Sequence, residues 1–166
     1  LGGVKLLMPM LAAGSNIQFM ASYADGAIAY AGHEYNSGNA AGNNFSRIGG
    51  VKFMPTDFNN DDPSKHNKAF YVSGALEHYW TPTVSSTVFG AYSEYNPDGA
   101  SNNSKIYAIG TRTAWSPVKG LTIGAEVYYA KINAPAVGGG TSGVTLNSYG
   151  KGGDEVAGRL RVVRGF

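Results

Sequence analysis

The stretch Val156-Ala157-Gly158-Arg159-Leu160-Arg161-Val162-Val163-Arg164-Gly165-Phe166, VAGRLRVVRGF, closes the chain, and its alternation decides how the rest is read. Successive side chains of a strand point to opposite faces. Val156, Gly158, Leu160, Val162 and Arg164 therefore share a face with Phe166, while Arg159, Arg161 and Val163 take the other. An arginine turned into hydrocarbon costs ~2 to 4 kcal/mol at a bilayer midplane. The reading that suits both faces sets Leu160 and Val162 against acyl chains and Arg159 and Arg161 against enclosed water. Arg164 is near enough to the end to reach headgroups with its long stem. Phe166 then falls in an interfacial aromatic girdle.

The same period of two runs through nearly all of the chain, with aromatic and β-branched residues gathered between clusters of Gly, Asn, Pro and Ser. Strands are expected at Gly2 to Met8, Asn16 to Tyr30 (bulged at Ala24-Asp25-Gly26-Ala27), Lys68 to Trp80, Val84 to Tyr95, Lys105 to Trp115, Leu121 to Asn133 and Val156 to Phe166. Most are longer than the ~5 to 6 residues usual in globular sheets and reach the ~9 to 11 that a tilted strand needs to cross a bilayer. Connections alternate between short (MLAAGS, TPT, SPVKG) and long, polar and rich in Gly and Asn, as between Tyr30 and Lys68. Tight turns on one side and long loops on the other are the connectivity of an antiparallel transmembrane β-barrel.

Composition agrees. Only 14% of the 166 residues are charged, against ~25% in a typical soluble domain. Cysteine is absent, and 24 residues are glycine and 11 tyrosine. A net charge of +2 without a run of Lys and Arg gives no footprint for nucleic acid. No apolar run approaches the ~18 to 20 residues of a helical span. The opening LGGVKLLMPM is not read as a signal peptide, because Pro9 interrupts the apolar run and Val4, Leu6 and Met8 alternate as on a strand. The chain is then expected to have lost its targeting segment, or to begin partway through a longer one.

Sorting each strand by alternation gives one apolar and one polar face. Leu121, Ile123, Ala125, Val127 and Tyr129 oppose Thr122, Gly124, Glu126 and Tyr128; Tyr107, Ile109, Thr111, Thr113 and Trp115 oppose Ile106, Ala108, Gly110 and Arg112. Phe70, Val72, Leu76, His78 and Trp80 oppose Tyr71, Ser73 and Glu77, and Val88 and Tyr92 are set on the apolar side. The residues expected to line an aqueous lumen are Lys5, Glu77, Arg112, Glu126, Arg159 and Arg161. Those expected at a membrane interface are Trp80, Trp115 and Phe166. WTPTVSSTVFGAY from Trp80 and WSPVKGLTIGAEV from Trp115 read as a repeated hairpin base, with proline at the first central position of each turn.

No constellation supports catalysis, and neither cofactor nor metal is expected. Asp57, Asn59 and Asp61 have calcium-loop spacing, but Asp62 stands where that loop needs glycine and Lys68 where it needs glutamate. His33, His66 and His78 lack the paired spacing of a zinc site and are expected in loops or at an interface. VGGGTSG lacks the Gly-Lys-[Ser/Thr] of a phosphate loop.

A terminal phenylalanine closing an alternating strand resembles the signal that outer-membrane barrels present to their assembly machinery. More narrowly, AWSPVKGLTIGAEVYYAKI, EHYWTP, ASYADGAIAY and GRLRVVRGF resemble the C-terminal part of the general porins of alphaproteobacteria, the rhizobial type. That resemblance implies a homotrimer of ~16-stranded barrels in outer-membrane lipid, passing small hydrophilic solutes by diffusion. It also implies a basic wall, including Arg159 and Arg161, set against an acidic constriction loop that screens solutes by size and charge. The resemblance also implies chains about twice this length, so residues 1–166 are expected to be the C-terminal portion of one barrel without its N-terminal strands and constriction loop. An odd strand count agrees, since single-chain bacterial barrels have an even number. Two other readings stay open: a barrel that is mainly structural or adhesive through its long extracellular loops, and a soluble all-β binding domain.

Overall fold

Residue type along the chain switches between two surfaces at every position, and the backbone follows by staying extended. The computed structural model describes residues 1–31, 47–48, 51–52, 57–58, 62, 64–96, 103–133 and 152–165. Its strands are β1 (Gly2–Leu7), β2 (Asn16–Asp25), β3 (Arg47–Ile48), β4 (Val51–Lys52), β5 (Lys68–Thr81), β6 (Val84–Asn96), β7 (Ser104–Val118), β8 (Leu121–Asn133) and β9 (Gly153–Arg164). Seven of them form one antiparallel sheet in the order β1-β2-β5-β6-β7-β8-β9, and β3 and β4 form a separate hairpin. Apart from that hairpin, each strand pairs with its neighbour in the chain, as short turns require. The all-β antiparallel architecture expected from the alternation is the one observed.

Three details differ from the sequence reading. The expected strand from Asn16 to Tyr30 ends at Asp25, and Ile28–Ala31 forms a 3-10 helix. Gly26 turns the chain there with a φ of 70°, a left-handed conformation that glycine adopts without strain. Its N–H donates to the Asn67 carbonyl (2.9 Å), and the Ile28 N–H donates to Asp57 Oδ1 (2.9 Å). Periodicity could not show these partners, which come from thirty to forty residues away.

The second proline hairpin is also built differently. Pro82 sits in its turn between Thr81 and Val84, and Thr81 Oγ1 accepts from Val84 N at 3.0 Å. Pro117 instead lies within β7, at a register irregularity between Trp115 and Val118, and the turn centres on Lys119 and Gly120. A bulge leaves one residue outside the ladder, which accommodates a residue with no N–H to donate. Finally, β9 begins at Gly153, three residues before the expected start; Phe166 lies outside the described residues.

Cross-strand register carries each face through the sheet. One face shows its large apolar side chains to the surroundings: Leu160 is 85% exposed, Val156 72% and Val162 68%. On the other, buried residues gather at the end where the long connections lie. Ala24, Ala69, Tyr95, Ile106, Ala130 and Ile132 pack there with Ile28 and Ala31 of the 3-10 helix. The Asn67 side chain enters this cluster and donates to Tyr95 Oη at 2.9 Å. The backbone of β3 lies against β8 and β9. The β2–β5 connection is thus folded onto the sheet at its described points.

Candidate functional site

Pairing brings residues far apart in sequence into one transverse row. Asn16 stands opposite Glu77, Glu77 opposite Thr87, Thr87 opposite Arg112, Arg112 opposite Glu126 and Glu126 opposite Arg159. Opposed residues of an antiparallel pair project to the same face with Cα atoms ~4.5 to 5.5 Å apart. The row therefore runs acid, hydroxyl, base, acid, base from β5 to β9.

The next row toward the short turns contains Tyr79, Ser85, Ala114, Gly124 and Arg161. The next row toward the long connections contains Lys5, Gln18, Ala75, Phe89, Gly110, Tyr128 and Ala157. Lys5, Glu77, Arg112, Glu126, Arg159 and Arg161 accordingly share one face, opposite to Leu160, Val127, Ile109 and Leu76.

The structure gathers four of these six and sets the other two apart. Arg112, Glu126, Arg159 and Arg161 surround a shallow depression floored by Ala114 and Gly124, where the short side chains leave room above the backbone. Glu77 belongs to a different network. Its Oε2 accepts from Asn16 Nδ2 (3.0 Å) and its Oε1 from Ser85 Oγ (3.4 Å), while Gln18 Nε2 donates to Asn16 Oδ1 (2.7 Å). Lys5 lies at the far edge, on β1, exposed. Among the described residues, Glu126 forms no ion pair within 4.0 Å with either arginine opposite it.

Sequence reasoning did not identify Asn16 and Gln18, which tie β2 to the Glu77 carboxylate. Nor did it identify Phe89, whose ring lies over Gly110. A Cβ on Gly110 would stand 2.6 Å from Phe89 Cζ, 2.7 Å from Tyr128 Cβ and 2.8 Å from the Val127 carbonyl oxygen. Glycine is required there by the close approach of two neighbouring strands, a relation that only register reveals.

Trp80 and Trp115 lie on the apolar face near the short turns, 65% and 49% exposed. The Trp80 indole donates to Ser86 Oγ at 3.0 Å, and Ser86 Oγ lies 3.1 Å from Thr113 Oγ1. His78 meets the Trp80 ring edge-on, with centroids 4.5 Å apart, and its Nδ1 lies 3.3 Å from Ser15 Oγ. His66 pairs with Asp25 at 3.4 Å and packs edge-on against Phe58. His33, Asn59 and Asp61 lie outside the described residues. Asp57 spends a carboxylate oxygen on the N–H of Ile28. Among the described residues, no group of three or more His, Cys, Asp or Glu side chains is placed to hold a metal ion.

No curated protein and no solved structure matches the chain. A family model described as a porin subfamily matches residues 2–158, nearly the whole length. That match joins a seven-stranded antiparallel sheet with one charged and one apolar face; the chain belongs to the porin subfamily, a family of outer-membrane channel proteins.

Proposed function

We propose that the chain is part of the wall of a water-filled outer-membrane channel for passive diffusion of small hydrophilic solutes and ions. Lys5, Glu77, Arg112, Glu126, Arg159 and Arg161 line its lumen in this reading. The observation that carries it is the division of the sheet: all six share one face, while Leu160, Val162, Val127 and Ile109 stand exposed on the other. Turning Arg159 and Arg161 into hydrocarbon would cost ~2 to 4 kcal/mol each at the midplane. Turning Leu160 and Val162 into water would forfeit ~1.5 to 3 kcal/mol apiece of apolar burial.

Among the described residues, both edges of the sheet, β1 and β9, lack a partner strand. Open edges leave peptide groups unpaired in lipid, so the membrane form needs further strands to close a barrel. Closure at ~16 strands in a trimer, with this chain as the C-terminal portion of a barrel like those of the alphaproteobacterial general porins, is what the resemblance in the sequence implies. In that assembly Phe166 is the residue offered to the assembly machinery, and the acidic constriction loop belongs to the complementary strands. Diffusion through such a lumen requires no catalysis.

Electrostatics then act through the depression around Arg112, Glu126, Arg159 and Arg161. Three guanidinium groups against one carboxylate give a local excess of positive charge, which favours anionic solutes at the wall where they pass closest. Folding of β3 and the 3-10 helix onto the sheet supports a lumen narrower at the long-loop end. The test is single-channel recording of the intact parent chain in planar bilayers. Stepwise, ohmic conductance with a reversal potential set by a salt gradient is expected. A detergent-resistant, membrane-inserted oligomer with no conductance would overturn the channel and leave a structural or adhesive barrel.

A further inference from the structure

Three neighbouring strands bring charges of both signs into one row of the polar face and leave each of them unengaged. Arg112 on β7 stands opposite Glu126 on β8, and Glu126 stands opposite Arg159 on β9. Opposite charges facing across a strand pair attract. Yet among the described residues neither these three side chains nor that of Arg161 makes a hydrogen bond or an ion pair. Glu77, further along the same row, is by contrast held by Asn16 and Ser85. The open charges are therefore confined to β7, β8 and β9.

Register sets the spacing. Opposed Cα atoms lie ~4.5 to 5.5 Å apart, which places Arg112 and Arg159 ~10 Å apart with Glu126 midway between them. Arg161 follows Arg159 on the same face, ~6.8 Å along β9 at ~3.4 Å per residue. The space among the four is clear, because Ala114 and Gly124 floor the depression they surround. Arginine stems are long enough for guanidinium groups on both sides to converge on a small solute held above Glu126.

The row reads base, acid, base, so its complement reads acid, base, acid. A plain dianion such as glutarate engages the arginines but brings its charge up to the Glu126 carboxylate with no donor to offer it. A neutral zwitterion such as glutamine satisfies Glu126 and one side of the row and leaves the guanidinium on the other side unused. An acidic amino acid meets all three positions, since its ammonium group sits on the carbon between the α-carboxylate and the side chain that carries the second carboxylate. Guanidinium groups take carboxylates through paired N–H donors, and an ammonium bound to a carboxylate is a charge-assisted contact. With three guanidinium groups against one carboxylate, the depression also favours a solute whose net charge is negative.

We propose that Arg112, Glu126, Arg159 and Arg161 form a subsite for acidic amino acids, aspartate or glutamate, on the channel wall. Glu126 takes the ammonium group, Arg112 takes one carboxylate, and Arg159 with Arg161 takes the other. The inference rests on the channel reading above and narrows it from anions in general to a solute that carries both signs of charge. Glu126 is the residue that separates the two: a wall that only attracts anions is improved by losing this carboxylate, whereas the subsite needs it.

The test uses the intact parent chain in planar bilayers, with glutamate, glutarate or glutamine added at equal ionic strength and binding read from reversible block of the single-channel current. Wild type is expected to bind glutamate about fivefold more tightly than either analogue, the worth of one unit-charge contact near ~4 Å in water-like dielectric. Glu126→Gln should erase the preference for glutamate over glutarate. Arg112→Gln and Arg159→Gln should each erase the preference for glutamate over glutamine. Glutarate or glutamine binding as tightly as glutamate to wild type overturns the subsite without recourse to any variant, and so does a Glu126→Gln channel that keeps the glutamate preference. Conductance in plain salt is recorded first. Its absence in wild type removes the channel reading and the subsite with it, whereas normal conductance without the glutamate preference removes only the subsite.

Discussion

Arg159 stands directly opposite Glu126 across the β8–β9 pair, and Glu126 in turn stands opposite Arg112 across β7–β8. A carboxylate so placed offsets part of the field of two guanidinium groups without being closed into an ion pair within 4.0 Å. Removing that carboxylate strengthens the basic character of the wall. Glu126→Gln is expected to raise the anion-to-cation permeability ratio, and Arg159→Glu with Arg161→Glu to lower it. The Glu126 change removes one unit charge and corresponds to about fivefold, or ~1 kcal/mol for a unit charge near 4 Å in water-like dielectric, and the double reversal, which alters the wall by about four unit charges, should act more strongly in the opposite direction. Reversal potentials across a salt gradient check both, and the effect should shrink as ionic strength rises.

The two faces of β9 should tolerate opposite substitutions. Leu160→Arg puts a guanidinium on the apolar face, where it is expected to cost ~2 to 4 kcal/mol in a bilayer. Arg159→Leu, one residue away on the charged face, should leave stability within ~0.5 kcal/mol. Urea titration of the vesicle-inserted protein measures both, and a Leu160→Arg variant as stable as wild type would reverse the assignment of faces.

Gly110 is a point of close approach on the charged face. Gly110→Ala is expected to destabilise by ~1 to 3 kcal/mol through overpacking, because the new methyl meets Phe89, Tyr128 and the Val127 carbonyl together. Adding Phe89→Ala should recover only part of the loss, since the carbonyl at 2.8 Å does not move with the ring. A double-mutant cycle in urea gives the coupling.

Trp80 and Trp115 report the depth of the sheet. Both are expected at the interface near the short turns, where an indole has an apolar ring and a hydrogen-bonded N–H. Lipids brominated near the headgroup should quench their emission more than lipids brominated near the chain terminus. The reverse order would place these residues in mid-bilayer and remove the interfacial assignment of the short turns.

Asp62, in the β2–β5 connection, is held below the ordinary carboxylate pKa, first by Ser64 Oγ donating at 2.6 Å and then by Ser64 N–H at 3.1 Å. A carboxyl with a lowered pKa in the folded state favours that state above the unfolded pKa of ~3.9, and the advantage is lost as pH falls through the folded value. Ser64→Ala is therefore expected to move the Asp62 midpoint upward toward the ordinary value, read by NMR titration of the side-chain carboxyl.

How much of this was legible in residue order depends on the range of the interaction. The alternation of Leu160 and Val162 with Arg159 and Arg161 declares two environments within a few residues, because a strand places neighbours on opposite faces whatever lies around it. The seven strands of the main sheet, their alternation of faces and the turn at Pro82 are local consequences of that geometry and of proline's fixed φ, whereas β3 and β4 were not foreseen. Pro117 shows the limit: the same Trp-[Ser/Thr]-Pro motif lies in a bulge rather than a turn, since pairing to β6 and β8 decides where the ladder loses a residue. The end of β2 at Asp25 depends on Asn67 and Asp57, and the requirement for glycine at 110 depends on the Phe89 ring from β6 and on Tyr128 Cβ and the Val127 carbonyl from β8. The transverse row from Glu77 to Arg159 exists only once the five strands β5 to β9 are in register. Alternation fixes which way a side chain points; only hydrogen-bonded pairing between distant segments fixes what stands beside it.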